Sequence, residues 1–456
     1  MIDRSGPPRL EAPRRAALPP VRRAVLANGL RVLAVEDAGA PVVRLTLGGE
    51  AGAEHDPAAH AGRATLAAAL LDEGTATRTS TEIAEAIETA GGQLSTGAGW
   101  ETAAVHVAVL ATALRGAFEL AADVFLAPTF PDEEFERLRR QRLAELMQRR
   151  NQPAALAEER VARVLYGEAP YGRPLSGDEA SNTALTRDEA ARFFSSRLAP
   201  ERSWLLAAGA VPFAELLERA EELLGSWGAA ATATPVDSAP LPRHAVTTDI
   251  VDRSASAQTE LRMAHAGLPK IHPDRVALSV ANAVLGGKFT SRINLNLRER
   301  RGLTYGAFSR LADRRGVGPF TVGAAVATER VGEAVRETIA EIERLRQEPV
   351  DEQELADTKS YIVGVFPYQL QTGDDLVHKL EELALYRLPD DHFERRLREV
   401  EAVTVEDVLR VAQAYLRPDR LAIVAAGPAA DLAKQLDGLG EVRVISPGLP
   451  SAPRPS

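Results

Sequence analysis

Cysteine is absent from this chain of 456 residues, and the sequence also lacks an excess of basic residues. Without cysteine the protein has no disulfide and no thiolate metal site. No apolar run reaches the roughly 18 residues of a membrane-spanning helix, so no membrane span is predicted. A net charge of −10 disfavours nucleic acid as a partner, because phosphate binding favours a basic surface.

A secretory signal is also missing from the sequence as given. The first 25 residues are rich in Pro and Arg and hold no apolar segment of the signal-peptide kind. This indicates the cytoplasm, while the periplasm stays open if a signal preceded this sequence, so the compartment is undetermined. What is present is ordinary globular composition, 45% hydrophobic and 26% charged, in a chain long enough for two or more domains.

The chain repeats one plan at a nearly constant offset. Apolar, strand-like segments end at Gly209 and Gly427, an offset of 427 − 209 = 218. Charged helix starts lie at Asp132 and Asp351, an offset of 351 − 132 = 219. Agreement between such features indicates an internal duplication.

Paired strand patterns with helical segments between them predict an α+β layer in each copy. Pro, Ser and Ala without periodicity mark a linker between the copies, and the residues after about 447 are predicted to be disordered. The predicted parts are a disordered or extended arm, a first domain, the linker, a second domain and a tail, at 1–24, 25–228, 229–244, 245–430 and 431–456.

Two segments near the candidate sites have helical patterns. Residues 61–73 are rich in Ala and Leu and are predicted to form a helix. Asp132–Arg150 is predicted to form an amphipathic helix.

One stretch of the second copy resembles the L-R-E-x-R-G-L-x-Y signature of the pitrilysin/insulinase-like zinc peptidases. It reads Leu297-Arg298-Glu299-Arg300-Arg301-Gly302-Leu303-Thr304-Tyr305. A Gly-Gly pair followed by Ser-Arg upstream, at 286–292, also fits the family. The resemblance covers about residues 25–430. It implies two similar domains, each an antiparallel sheet packed with helices, a duplication like that of the mitochondrial processing peptidase.

In that family the Arg and Tyr of the signature reach the scissile peptide, and the resemblance assigns these roles to Arg298 and Tyr305. The chemistry suits them, since a guanidinium donates to a peptide carbonyl and a phenol donates to a developing oxyanion. The structural alternative is an Arg paired with Glu299 or Glu333 and a Tyr packed at a sheet edge. Gly302 is expected to end the helix, with the Tyr in the next strand.

The zinc motif of the family, H-x-x-E-H, occurs nowhere in the sequence. Between Gly62 and Gly74, which match the family's flanking residues, Thr65, Ala68 and Ala69 stand where the family has His, Glu and His. Positions i, i+3 and i+4 share one helix face, where two imidazoles hold zinc and the Glu activates its water. Methyl groups and a lone hydroxyl do none of this.

Glu145 stands where the resemblance places the third zinc ligand. One carboxylate cannot hold zinc alone, and the alternative is a glutamate salt-bridged to its neighbours Arg142, Arg149 and Arg150. The eight histidines are scattered, with no two of them four residues apart. The expectation is that this chain binds no metal and no other cofactor.

The segment 92–97 resembles the family's strand that pairs with an extended peptide. Leu94, Ser95, Thr96 and Gly97 are therefore candidates for peptide binding. Pairing through the backbone needs no particular side chains, so this role survives the loss of zinc.

Shorter members of the family work in pairs, and in some pairs one chain holds zinc while the other supplies Arg and Tyr. By this resemblance the chain is the zinc-free subunit of a heterodimeric metallopeptidase. It is expected to be inactive alone, to pair with a zinc-bearing paralogous subunit, and to act on unfolded peptides. The alternative is a structural or peptide-holding subunit outside proteolysis, like the core proteins of the respiratory bc1 complex. A homodimeric peptidase with an unorthodox site is disfavoured by the missing ligands.

Overall fold

A computed structural model describes residues 17–446, apart from 229–235, 254, 255 and 257. Over that part of the chain the strands form two six-stranded sheets, each packed with helices, which confirms the predicted α+β class. The predictions for the arm, the linker and the tail lie partly outside the described residues. No helix of the described chain is long and apolar enough to cross a membrane.

The first sheet comes from the N-terminal half, and its spatial order is β1-β2-β6-β3-β5-β4. Neighbouring strands are antiparallel except β2 and β6, which are parallel. The strands are β1 Val21–Val25, β2 Arg31–Glu36, β3 Val42–Gly49, β4 Gln93–Ala98, β5 Ala103–Leu110 and β6 Ser203–Gly209. The helices of this half are α1 Arg63–Ala69, α2 Ser80–Thr89, α3 Leu114–Leu126, α4 Asp132–Arg149, α5 Pro153–Tyr166, α6 Glu179–Ala184, α7 Arg187–Arg197 and α8 Phe213–Leu224.

The second sheet repeats this arrangement in the order β12-β7-β11-β8-β10-β9. Here β7 runs parallel to both β11 and β12, and the remaining pairs are antiparallel. The strands are β7 Thr247–Asp252, β8 Gln258–Ala266, β9 Ala307–Leu311, β10 Pro319–Ala327, β11 Ala422–Gly427 and β12 Glu441–Ile445. The helices are α9 Arg275–Asn282, α10 Arg292–Asn294, α11 Val331–Gln347, α12 Glu352–Val365, α13 Gly373–Leu385, α14 His392–Ala402, α15 Val405–Tyr415 and α16 Ala429–Gln435.

The predicted duplication is visible strand by strand. β6 follows the short 3-10 turn Pro200–Arg202 and ends at Gly209, and β11 follows the turn Pro418–Arg420 and ends at Gly427. Each lies in the middle of its sheet, beside β3 and β8 respectively. The sequence similarity between these two segments therefore marks a central strand in each sheet.

Three local expectations need adjustment. The prediction that Asp132–Arg150 is amphipathic is wrong, because Phe135 is the one residue of α4 that is buried and charged side chains occupy most of the rest of the helix. The helix expected over 61–73 divides into α1 and a 3-10 turn, Leu71–Glu73. The segment assigned to the tail, 431–456, contains most of α16 and all of β12 before the described chain ends.

Each half packs one of its helices against the sheet of the other half. Helix α5, from the N-terminal half, packs Ala157, Val161 and Leu165 into a cluster with Ala264 and Val424 of the second sheet. Its counterpart α13 packs against the first sheet in the same way. The buried residues there are, from the sheet, Leu33, Val35, Trp204, Leu206 and Ala208, and from α13, Leu376, Val377, Leu380, Leu383 and Ala384. Apolar contact of this extent is the main stabilising force of a fold, and here it joins the two halves.

A second contact joins the halves through the loop between β9 and β10. The Arg315 amide donates to the buried Glu101 carboxylate at 2.7 Å, and the Tyr166 hydroxyl donates to the Val317 carbonyl at 2.8 Å. The Arg315 guanidinium lies 3.6 Å from the buried Glu54 carboxylate. Polar groups buried between the halves are thus partnered across the contact, as burial requires.

Candidate functional site

The Arg-Tyr motif forms the end of a helix and the loop that follows it. α10 continues as a π-helical turn, Leu295–Arg300, and Gly302 then takes a left-handed conformation with φ +60°, which glycine adopts without strain. Tyr305 does not lie in the next strand as expected, since β9 begins at Ala307. It stands in the connecting loop, and its side chain is 91% exposed.

The Arg298 side chain is held by two neighbours. Its guanidinium carbon lies 4.6 Å from the centre of the Phe289 ring, within the range of a cation–π contact. Its Nε lies 3.4 Å from the Glu299 carboxylate. Glu333, the other partner considered for this arginine, instead pairs with Arg301 and Arg330.

Buried amides fix the helix that carries the motif. Asn294 donates to the Phe289 carbonyl at 2.7 Å and accepts from the Ala307 amide at 3.0 Å. Asn296 donates to the Glu341 carboxylate at 2.8 Å, and Leu297 is fully buried. One asparagine therefore ties the aromatic support of Arg298 to the first residue of β9, which follows Tyr305 closely.

Three of the predicted degenerate zinc positions, Thr65, Ala68 and Ala69, lie on α1. The chain is tightly constrained at the start of this helix. The buried Asp56 carboxylate accepts from the amides of Gly62 and Ala64, both at 3.1 Å. Burial raises the pKa of Asp56 to about 6, although Arg63 and these two amides oppose the shift. The carboxylate thus takes the place of a helix cap, and α1 begins there.

Thr65, Ala68 and Ala69 do not share one environment. Ala68 is fully buried in the core of the N-terminal half, while Thr65 and Ala69 are half-buried. The Thr65 hydroxyl donates to the Gly62 carbonyl at 2.9 Å and accepts from Arg142 Nη1 at 2.9 Å. The position of the family's catalytic glutamate is thus packed with apolar atoms.

Glu145 lies one turn along α4 from Arg142, and its carboxylate is 3.7 Å from the Nε of that arginine. It also accepts from the Gln141 side-chain amide at 2.9 Å. The structure therefore brings Thr65 and Glu145 together through an arginine that stands between them.

The residues present do not fit a zinc ion. Across the described chain, no three side chains of His, Cys, Asp or Glu lie together in a way that could hold a metal. One histidine is followed three residues later by a glutamate, His378 with Glu381 on α13. The residue after them is Glu382, so the second imidazole of an H-x-x-E-H motif is missing there too.

The candidate peptide-binding strand, β4, lies at an edge of the first sheet. Within the described residues its backbone pairs with β5 alone, and a Cβ added at Gly97 would meet nothing within 4 Å. Leu94 packs against the core, Thr96 donates to Asp72 at 3.1 Å, and Ser95 is exposed. An extended chain has access to the outer edge of this strand.

The equivalent strand of the second sheet is covered. The Asn282 side chain donates to the Ser309 carbonyl of β9 at 3.2 Å. Gly286 lies so close that an added Cβ would stand 2.6 Å from the Ser309 nitrogen. The two repeats thus differ at this edge, with β4 open and β9 protected.

Sequence profiles of a known family match both halves. The profile described as Insulinase (Peptidase family M16) matches residues 31–179, and that described as Peptidase M16 inactive domain matches 184–362. An uncharacterized zinc protease of Mycobacterium tuberculosis is 30% identical over 429 residues, covering 92% of this chain and 96% of that protein. An uncharacterized zinc protease of Bacillus subtilis is 22% identical over 402 residues, covering 88% and 96%.

Solved structures show the same architecture. The crystal structure of a peptidase M16 inactive domain from Pseudomonas fluorescens has a TM-score of 0.84 and 27% identity, covering 90% of this chain and 98% of that one. A protease from Helicobacter pylori, 19% identical, has a TM-score of 0.83 and covers 90% and 100%, which shows a common fold. The chain belongs to the M16 family of peptidases. Within that family it is a member without the H-x-x-E-H motif.

Sequence reasoning did not pick out two residues of these sites. Phe289 contacts Arg298, but it lies in the segment 286–292, whose sequence signal is the Gly-Gly pair and not the aromatic residue. Arg142 was weighed as a salt-bridge partner for Glu145, and its contact with Thr65 was not foreseen. A long side chain on a charged helix gives no sequence signal for such a contact.

Proposed function

We propose that this chain is the metal-free subunit of a two-chain peptidase. It would bind the peptide and supply Arg298 and Tyr305 to a zinc-bearing partner of the same family, and it would have no peptidase activity alone. The partner would supply the metal-activated water. The membership in the M16 family and the loss of the ligand set support this division of roles.

The observation that carries the proposal is the presentation of Tyr305. Its phenol is 91% exposed, and its hydroxyl has no hydrogen-bond partner among the described residues. Arg298 stands at the end of the preceding helix, stacked on a ring that is itself 64% exposed. An exposed phenol without a hydrogen-bond partner among the described residues, seven positions after a fixed guanidinium, suits contact with a peptide.

The chemistry expected of the pair follows from its groups. The guanidinium is always charged and donates to the carbonyl of the peptide bond, which orients that bond. The phenol donates to the same oxygen as negative charge develops on it. The open edge of β4 offers backbone groups for pairing with an extended segment of the substrate.

Reconstitution tests the proposal. The purified chain is mixed with the M16 relative from the same organism that carries H-x-x-E-H, and cleavage of a quenched fluorescent peptide is followed. Activity is expected from the mixture but not from this chain alone. Arg298→Ala and Tyr305→Phe should each lower kcat/KM of the mixture by about 10² to 10³, the usual cost of losing one such donor.

Matched controls distinguish this role from general damage. Arg300→Ala removes an exposed arginine from the same helical turn, and Tyr368→Phe changes another exposed tyrosine, 67% exposed; both should leave turnover unchanged. If Arg298→Ala and Tyr305→Phe mixtures turn over peptide at the rate of the unaltered mixture, the proposed function is wrong.

A peptide-holding subunit outside proteolysis is the second candidate. The open edge of β4 favours it, because strand pairing would hold a peptide without any chemistry. The two candidates differ in one result: a holding subunit binds an extended peptide, yet Tyr305→Phe changes neither binding nor any activity of its complex.

A further inference from the structure

One side chain, that of Arg142, contacts two of the predicted degenerate zinc positions, Thr65 and Glu145. α1 and α4 face each other where the family's ligands would stand, and the Arg142 guanidinium lies between them. It donates to Thr65 Oγ1 at 2.9 Å, and its Nε is 3.7 Å from the Glu145 carboxylate. The Arg142 side chain is 14% exposed, so the cation is largely removed from solvent.

The loop before α6 packs against Arg142 and Thr65. Arg142 Nη1 lies 3.5 Å from the Ser176 carbonyl, and Thr65 Oγ1 lies 3.5 Å from the Leu175 carbonyl. Asn182 donates to the Ser176 carbonyl at 2.8 Å and so fixes the loop. The Ser176 carbonyl is thus one of the polar partners that a buried cation requires.

Gly62 shows how closely the loop approaches α1. Its φ is +91°, and a Cβ built on it would stand 2.4 Å from the Ser176 oxygen. The helix start, the loop and the Arg142 guanidinium therefore form one packed unit around Thr65.

We propose that Arg142 takes the place of the metal: its guanidinium joins α4 to α1 through Thr65, is compensated by Glu145 on its own helix, and excludes a divalent cation. On this account the chain is metal-free for two reasons, the lost imidazoles and the guanidinium. Restoring ligands alone is then insufficient. The inference is independent of any partner or peptidase activity.

Zinc binding by two variants of the full chain tests it. Thr65→His/Ala69→His restores two imidazoles one helical turn apart, at half-buried positions that leave the packed Ala68 untouched. The same variant with Arg142→Gln also loses the guanidinium. Affinity for Zn²⁺ is measured by competition with a chromophoric chelator, and Co²⁺ absorption reports ligand geometry. The variant with Arg142→Gln should bind at least about tenfold more tightly.

A control variant separates this charge from the charge of the helix as a whole. Arg140 lies on α4 and is exposed, with its Nε donating to the Glu136 carbonyl. Adding Arg140→Gln to the two histidine substitutions should leave zinc affinity where those substitutions alone place it. Equal zinc affinity with and without Arg142→Gln, at any level and including no binding, overturns the proposal.

The cross-link itself is tested in the otherwise unaltered chain, so that misfolding of the histidine variants cannot hide the answer. Thr65→Val, Arg142→Gln and the double substitution are compared by their midpoints of thermal unfolding. Each single variant should lower the midpoint, and the double should lower it by clearly less than the sum. Strictly additive losses would show that the two side chains do not act together and would overturn the inference.

Discussion

Arg160 of α5 donates through its Nε to the carboxylate of Asp249 in β7 at 2.5 Å. The two residues come from opposite halves of the chain. Asp249 has 1% of its side chain exposed and also accepts from Arg443 of β12 at 2.8 Å. The charge of a buried carboxylate with two guanidinium partners is fully compensated. Asp249 thereby fixes the position of α5 on the second sheet.

Removing that carboxylate should be costly. Asp249→Ala leaves Arg160 and Arg443 facing each other without a counter-charge, and breaking a buried pair in this way costs about 3–5 kcal/mol. The free energy of unfolding from urea denaturation measures the loss. As a control, Asp374→Ala breaks a pair with Arg44 in which the aspartate is 62% exposed; it should cost less than about 1 kcal/mol. Similar losses for the two variants would contradict the account.

Because α13 of the C-terminal half covers the first sheet, we expect that the N-terminal half does not fold stably by itself. A fragment of residues 17–228 keeps the first sheet but lacks α13, so the apolar face around Trp204 is exposed to water. Large exposed apolar patches lead to association, and the fragment should aggregate or bind a hydrophobic dye strongly. Co-expression with residues 236–446 should restore a soluble, non-covalent complex. A fragment 17–228 that stays monomeric and binds no dye would show that α13 is dispensable.

Glu54 predicts a pH-dependent stability. Burial raises its pKa to about 7 from 4.5, with Arg315 opposing the shift. Because the folded-state pKa is the higher one, its contribution is fully present below pH 4.5 and is lost as pH rises to about 7. Glu54→Gln cannot ionise, so it should gain up to roughly 3 kcal/mol on the unaltered chain between pH 4.5 and 8.

Urea unfolding of both proteins at several pH values measures this difference. Glu85→Gln, at an exposed position of α2, serves as the control and should track the unaltered chain throughout. A constant difference between Glu54→Gln and the unaltered chain from pH 4.5 to 8 would refute the assignment.

Substitutions at Gly62 and Gly91 distinguish the cost of backbone strain from the cost of a steric clash. Both have positive φ, +91° and +63°, but an added Cβ would stand 2.4 Å from the Ser176 oxygen at Gly62 and would meet nothing at Gly91. Gly91→Ala should cost about 1–2 kcal/mol for the left-handed backbone alone. Gly62→Ala should cost about 1–3 kcal/mol more, because the loop must move. Equal losses in denaturant unfolding would show that the loop yields freely.

The fold was largely predictable from the sequence. The two segments that end at Gly209 and Gly427 indicated a duplication, and they form the central strands β6 and β11. Apolar runs with defined ends are patterns of neighbouring residues, so they can be recognised without knowing the tertiary contacts. The resemblance to this family could be predicted from the motif at Arg298, and the matching profiles and relatives establish the membership.

What could not be predicted depends on contacts between distant residues. The apolar stripe of α5 is the same whether it covers its own sheet or the other one, so nothing in it shows that it meets Val424. The prediction for α4 was wrong because charged side chains occupy most of the helix and only Phe135 is buried. The contact of Arg142 with Thr65 depends on a side-chain conformation that only the neighbouring loop selects.

The exchange of α5 and α13 has a bearing on how such a chain evolves. After the ancestral gene doubled, each copy's helix was under selection from a surface encoded some two hundred codons away. A substitution in α5 or α13 changes a contact with the other copy, so the two repeats constrain each other. Thr65 and Ala69 are not among the residues of the two apolar clusters that join the halves, so a change at these positions of the first repeat leaves that contact intact.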